Sequence, residues 1–309
     1  LQTILYFILG VAILYVGADW FVKGASSLSA IFKITPLMIG MVVVSAGTSA
    51  PELLVSLMAA IRGNSDISIG NVVGSNIANI ALGLGLTSII FPTNIREKIV
   101  KREMIFMLIA SIVFAIVSLN GTIGRLEGGF LLILMVFFVT YSYNTAKKEH
   151  IAKSLEVIVE DKSLTHSLLW LTLGCACLLL GSHLLISAGV KMAVWFGISE
   201  LVIGISLVAV GTSVPEIATS IVAAYKKEFD ISVGNIVGSN IFNILFVIGL
   251  VATIKPLHVS PEVITIHLPV MLMFAIGLLP IMKKDLIITR IDGLVLLASY
   301  SIYIGYVYL

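Results

Sequence analysis

The chain has 309 residues, of which 59% are hydrophobic and 12% charged, about half the charged share of a soluble domain. Mean hydropathy is +1.10 and the formal net charge is only +2. These values exclude a soluble enzyme, a disordered chain and a nucleic-acid binder, and they point to a protein dissolved in a lipid bilayer.

A membrane helix takes about 20 apolar residues to cross roughly 30 Å of hydrocarbon. Ten apolar runs of this kind follow one another, at 1–18, 34–61, 67–95, 104–124, 128–146, 163–190, 201–225, 231–254, 263–282 and 293–309. The first has no basic leader and no A-x-A site, so it reads as a span and not as a removable signal. Cys175 and Cys177 lie inside the sixth run, which excludes a disulfide framework and suits small apolar packing residues. The longest polar stretch, 147–162, mixes lysines with Glu149, Glu156, Glu160 and Asp161. It reads as a solvated cytoplasmic linker between two halves, 1–146 and 163–309. With the N-terminus outside, 15 of the 19 Lys and Arg residues fall in inner loops and 4 outside. Cytoplasmic loops collect Lys and Arg, so this split supports ten spans in a multi-pass plasma-membrane protein with both termini outside.

Shifting the sequence by 164 residues aligns the halves without a gap. Between Ile39–Ile80 and Ile203–Ile244, 23 of 42 positions are identical, which marks a duplication. Five spans per half is an odd number, so the second half enters the membrane from the opposite side. The predicted fold is all-α, with ten transmembrane helices as two inverted five-helix repeats. Inverted repeats of this kind build secondary transporters with sites at mid-membrane.

Glu52 and Glu216 are the only acids well inside long apolar runs, and they occupy matched positions. An acid at helix centre costs about 2.5–3.5 kcal/mol on insertion scales, so two of them need a compensating ligand. They sit in Gly47-Thr48-Ser49-Ala50-Pro51-Glu52 and Gly211-Thr212-Ser213-Val214-Pro215-Glu216. A proline lacks its N–H and clashes with the carbonyl one turn earlier, so both helices should break and expose carbonyls near Gly47, Thr48, Gly211 and Thr212. Irregular backbone at this depth is tolerated where it lines a cavity. A second repeated motif runs from Gly70-Asn71 to Asn79 and from Gly234-Asn235 to Asn243. Positions 71, 75 and 79 share one helical face. Ser75, Asn79, Ser239 and Asn243 present neutral oxygens suited to ligand roles, while Gly70, Gly74, Gly234 and Gly238 suit close helix packing. Two carboxylates among hard oxygens, without His or Cys, suit Na⁺ or Ca²⁺ and not zinc or copper. A charge of −2 balances one Ca²⁺ or two Na⁺, which sets the two ions in competition.

Other polar residues read as structural. Asp19 and Lys23, four apart, form a local ion pair. His183 replaces Asp19 in the repeat and reads as packed or interfacial, and His166, His258 and His267 lie near span ends. Tyr300, Tyr303, Tyr306 and Tyr308 crowd the outer end of span ten as an interfacial anchor.

On the two GTSxPE and two GNxxGSNIxNI motifs, the whole chain resembles the sodium/calcium exchanger family of the cation/calcium exchanger superfamily, in a prokaryotic form. The resemblance implies that Glu52 and Glu216 bind Ca²⁺ with main-chain oxygens of Thr48 and Thr212. It implies that Na⁺ uses the same pair with Ser49, Ser213, Ser75 and Ser239 and with carbonyls near Ser45 and Ala209. Ser45 also adds a hydroxyl that its counterpart Ala209 lacks. The resemblance further implies that spans one and six slide across the core to switch access, and that more than two Na⁺ move per Ca²⁺. Relatives coupled to potassium carry Asp where Asn243 stands, so Asn at both 79 and 243 favours potassium independence. No cofactor is implied; the ions are cargo, and a monomer is the expected transport unit.

The expected function is antiport of Na⁺ against Ca²⁺ by alternating access. A proton- or potassium-coupled cation exchanger on the same scaffold is the alternative. An intramembrane hydrolase would need paired acids but also an activated water and substrate access. A plain channel fits inverted, broken helices less well.

Overall fold

The computed structural model describes residues 2–153, 163–195 and 210–308. The first half contributes α1 (Gln2–Ile31), a bent pair α2 (Pro36–Thr48) and α3 (Ala50–Ile61), then α4 (Ser65–Ile90), α5 (Met104–Ser118) and α6 (Arg125–Lys153). The second half contributes α7 (Leu164–Trp195), α8 (Val214–Tyr225), α9 (Phe229–Ile254), α10 (Val263–Lys283) and α11 (Arg290–Tyr308). Each of the ten apolar runs holds a helix, though only residues 210–225 of the seventh run lie within the described residues. By length and apolarity six helices among the described residues can cross a membrane, or seven with α2 and α3 taken as one span.

Several bounds differ from the apolar runs, for physical reasons. Helix α1 continues past Ala18 to Ile31 because Asp19 and Lys23 neutralise each other at 2.7 Å and need not end the helix. Helix α6 runs through Lys153, so the start of the expected linker is helical; residues 154–162 lie outside the described residues. The fourth run stops early, at Ser118, because Gly121 takes a positive φ and turns the chain into strand β2 (Thr122–Ile123). Strands were not expected at all. Besides β2 there are β1 (Thr93–Asn94), β3 (Leu257–His258) and β4 (Ile287–Ile288). They form two antiparallel two-residue ribbons, β1 with β4 and β2 with β3. Each ribbon joins the two halves, and the 164-residue offset carries one ribbon close to the other.

The packing contacts come in similar pairs. The ideal Cβ of Gly10 would lie 3.1 Å from Gly181 O, and that of Gly17 3.0 Å from Gly174 O, so α1 and α7 run antiparallel with backbones almost touching. An ideal Cβ on Gly85 would lie 3.3 Å from Gly293 O, and one on Gly128 2.8 Å from Gly249 O. Water drives no association inside lipid, so small residues that admit close van der Waals contact take that part. Gly234 and Gly238 pack in this way, as expected, against the backbone of α2 at Leu37 and Met41, whereas Gly70 has nothing within 4 Å of its ideal Cβ among the described residues.

Helices α4 and α9 lie at the centre, with 72% and 78% of their apolar windows buried, against 28% for α1, α6, α7 and α10. Two buried apolar clusters result. One gathers α4, α5, α9 and α10. The other gathers α1 and α7 against residues of α2 and α8. The outer pair α1–α7 therefore packs as its own layer on a separate core.

Candidate functional site

Helices α2 and α3 meet at Ser49 with a bend of 45°. Thr35 caps the start of α2, its Oγ1 accepting from Met38 N at 3.4 Å, with Pro36 in the first turn. Pro51 occupies the first turn of α3, where no N–H is needed, and this makes the break there inexpensive. Pro215 does the same in α8. Ser49 (φ −83°, ψ 9°) and Ser213 (φ −82°, ψ −1°) adopt the same sparsely populated conformation at the two breaks. The expected interruptions are therefore present in both halves. The carbonyls freed by the prolines are partly taken up: Cys175 Sγ donates to Gly47 O at 3.7 Å and Ser182 Oγ to Gly211 O at 3.0 Å. Both donors come from α7, so Cys175 does more than fill space.

Each break delivers a carboxylate to the first turn of the next helix, where the positive end of the helix dipole favours it. Glu52 and Glu216 are both fully buried, and their charges interact. Ser49 Oγ donates to Glu216 Oε1 at 3.0 Å, across the two halves. Thr48 and Ser239 also neighbour Glu216, while Thr212 and Ser75 neighbour Glu52. Ser75 Oγ and Thr212 Oγ1 are 3.2 Å apart. Of the residues singled out from the sequence, Thr48, Ser49, Ser75, Thr212 and Ser239 thus lie against one buried pair of acids. Ser45 turns its hydroxyl to Met41 O within its own helix. Ala209 lies outside the described residues.

Asn79 and Asn243 form a second layer with Asn76 and Asn240. Asn79 Nδ2 donates to Asn240 Oδ1 at 3.2 Å, and Asn243 Nδ2 to Asn76 Oδ1 at 3.4 Å. Each opens a wide π-helical turn, Asn79–Leu84 and Asn243–Ile248; among the described residues three more run over Gly40–Val44 just before Ser45 and, away from the site, over Ile99–Glu103 and Val263–His267. Turns of this kind recur at functional sites, and the sequence carried no mark of them.

The chemistry of the site is set by oxygens without donors. Glu52 Oε1 and Oε2, Glu216 Oε2, Ser213 Oγ, Ser239 Oγ, Asn79 Oδ1 and Asn243 Oδ1 are all buried and have no protein hydrogen-bond partner. Buried polar atoms are ordinarily satisfied, so carboxylate oxygens left without donors on both buried acids fit hard cations. Among the described residues no group of three or more His, Cys, Asp or Glu side chains converges, unlike the donor sets of transition-metal centres. An apolar cavity of about 500 Å³ between α2, α6 and α9 is lined by residues such as Val42, Met135 and Phe246. It has no carboxylate in its walls and is not this site.

Two residues of the site were missed in the sequence beyond their place on a helical face. Asn71 and Asn235 are buried and fully bonded. Asn71 Nδ2 reaches Glu52 O at 3.2 Å and Ser56 Oγ at 3.0 Å, and Asn235 Nδ2 reaches Glu216 O at 3.1 Å and Ser220 Oγ at 3.0 Å. The signal was available: both are repeated polar residues in apolar spans, each with donors and an acceptor on one amide.

Comparison with known proteins agrees with this geometry. The family pattern described as "Sodium/calcium exchanger protein" matches residues 2–144 and 166–309. The chain is 37% identical to "Inner membrane protein YrbG" of Escherichia coli over 87% of this chain and 85% of that one. It is 30% identical to "Sodium/calcium exchanger MaX1" of Methanosarcina acetivorans over 96% and 95%. Its fold superposes on a solved structure of the sodium-calcium exchanger NCX_Mj with a TM-score of 0.84 at 31% identity, covering 99% of this chain and 98% of that one. The chain is a multi-pass membrane transporter, not an enzyme, and belongs to the sodium/calcium exchanger family.

Proposed function

We propose that this cation exchanger moves Na⁺ against Ca²⁺ across the plasma membrane by alternating access. The observation that carries the reading is the pair of fully buried carboxylates held on matched broken helices, with both oxygens of Glu52 and one of Glu216 lacking any donor. A net −2 centre of hard oxygens balances one Ca²⁺ or two Na⁺, so the ions displace each other. Thr48, Thr212, Ser49, Ser213, Ser75, Ser239, Asn79, Asn243, Ser45 and Ala209 would complete the ligand set. One structure of NCX_Mj is of a protein soaked with Na⁺ and Ca²⁺, and the Escherichia coli relative is an inner membrane protein by name; both support the assignment.

Ten spans in two inverted repeats, residues 1–146 and 163–309 around the linker 147–162, complete the proposal. The paired glycine contacts, paired ribbons and matched breaks support it, as does the placement of 15 of 19 basic residues inside with both ends outside. Such a molecule has two near-equivalent arrangements, one open to each side.

One observation favours a second reading. A proton on Glu52 would satisfy its orphaned oxygens as a cation does, so a proton-coupled exchanger fits the same site. Uptake of ⁴⁵Ca²⁺ into Na⁺-loaded vesicles tests the first reading. Glu52→Gln and Glu216→Gln should each reduce uptake to background. Wild-type uptake by both variants would sink the assignment.

A further inference from the structure

Each half of the site is built partly from the other half, and besides contacts such as Ser49–Glu216 and Asn79–Asn240 one amide per half ties an acid-bearing helix to the opposite broken helix. Asn235 on α9 holds the backbone carbonyl of Glu216 and the hydroxyl of Ser220 with Nδ2, and its Oδ1 accepts from Thr48 Oγ1 of the other half at 3.1 Å. Asn71 on α4 mirrors this, with Oδ1 accepting from Thr212 Oγ1 at 3.2 Å. We propose that Asn71 and Asn235 are positioning residues that clasp each acid-bearing helix to the broken helix of the opposite half. The clasp sets the register of Thr48 beside Glu216 and of Thr212 beside Glu52. It also draws the threonine proton away from the carboxylate, so the hydroxyl presents lone pairs to a cation. Thr48 has other acceptors, Val44 O at 3.2 Å and Ser45 O at 3.3 Å, but both belong to its own helix and cannot tie the halves together.

This inference rests on the cation reading of the site. The test is a double-mutant cycle on detergent-purified full-length protein, with Ca²⁺ binding read by calorimetry in Na⁺-free buffer. Asn235→Ala and Thr48→Val should each weaken Ca²⁺ binding about tenfold, and the double variant by clearly less than the product of the two, because the Thr48–Asn235 bond is lost in all three. Thr48→Val combined with Asn71→Ala should instead be additive. Additivity in both pairs would overturn the clasp. A wild-type protein that binds no Ca²⁺ would overturn the functional reading instead. Should Asn235→Ala fail to give monodisperse protein, Asn235→Ser replaces it, since its short hydroxyl cannot span both partners.

A separate observation breaks the symmetry of the halves. Asp19 on α1 pairs with Lys226 Nζ at 2.5 Å and Lys23 Nζ at 2.7 Å, and Lys226 also donates to Asp19 O at 3.0 Å. Seven residues along α1, Ser26 Oγ donates to Glu228 Oε1 at 3.1 Å. The connector Lys226–Glu228 follows α8, the helix that carries Glu216. Asp19 and Lys226 are only 20% and 22% exposed, so the pair is poorly screened. At the positions related by 164 residues stand His183, Ser187 and Val190 on α7, and Arg62 and Asn64 on the connector after α3. None of these five is an acid. We infer that Asp19, Lys226, Ser26 and Glu228 form a one-sided latch between the outer layer α1–α7 and the core, favouring one of the two access states.

The latch also rests on the alternating-access reading, so it is read in two ways. In oriented proteoliposomes the ratio of Ca²⁺ half-saturation at the two faces should shift at least about threefold in Lys226→Met and in Asp19→Asn. The double variant should shift no further. Independently of transport, hydrogen exchange should quicken in α1 after Asp19 and in the 226–228 connector, with α4 and α9 unchanged. An unchanged ratio together with unchanged exchange would overturn the latch. Faster exchange throughout α4 and α9 would mean a general loss of structure and would also overturn it.

Discussion

Glu52 and Glu216 hold their places because of the three residues that precede each: a serine that bridges the two helix segments, a small or branched residue, and a proline whose missing N–H falls in a first turn. Proline placement alone made the breaks legible in the sequence. The wide turns at Asn79 and Asn243 were not legible, since a π-helical turn depends on how neighbouring helices crowd the backbone and leaves no local residue signal. Backbone conformation at two other positions shows the duplication again. Gly63 and Lys227, one offset apart, both take positive φ (88° and 63°), as do Gly121 and Asp285 (78° and 55°). A lysine carries a steric penalty there that glycine avoids, on the order of 1 kcal/mol. Lys227→Gly should therefore hold or raise thermal stability in detergent, whereas Gly63→Lys should lower it by a similar amount. A fall in melting temperature for Lys227→Gly would contradict the inference.

Among elements, α2 and α9 are the pair that sets the site, and their spacing depends on glycine. A Cβ on Gly238 would lie 2.3 Å from Met41 O and 2.5 Å from Met41 Cα, all main chain, so no rotamer change can relieve it. Gly238→Ala should cost about 1–3 kcal/mol, the usual range for overpacking, and should weaken Ca²⁺ binding because α2 carries Thr48 and leads into Ser49. Gly277 on α10 has nothing within 4 Å of its ideal Cβ. Gly277→Ala should be neutral or stabilising by a few tenths of a kcal/mol to about 1 kcal/mol, as helix glycine gives way to alanine. Melting curves of the two variants check this directly, and equal behaviour would contradict the packing account. The element types were readable because lipid demands long, internally bonded helices. The four two-residue strands were not, because such short pairings arise where loops from opposite halves meet and need no strand pattern of their own.

For the whole molecule, the repeat is the feature that the sequence shows most plainly, and the structure renders it as matched contacts: Gly10 with Gly181 and Gly17 with Gly174, β1 with β4 and β2 with β3, Asn71 with Thr212 and Asn235 with Thr48. Departures from the repeat are as informative as its presence. The Asp19–Lys23 pair was visible as an i,i+4 spacing, yet its partner Lys226 is 203 residues beyond Lys23 and could be found only in three dimensions. The same holds for Asn71 and Asn235, each of which has one partner, Thr212 or Thr48, in the other half. The proposed exchange requires that a Na⁺ gradient drive Ca²⁺ through the buried pair of acids. The decisive measurement is ⁴⁵Ca²⁺ flux in proteoliposomes under Na⁺, K⁺ and H⁺ gradients imposed one at a time. Flux should arise under the Na⁺ gradient alone and be lost in Glu52→Gln and Glu216→Gln. Flux driven by H⁺ or K⁺ in the absence of Na⁺ would contradict this.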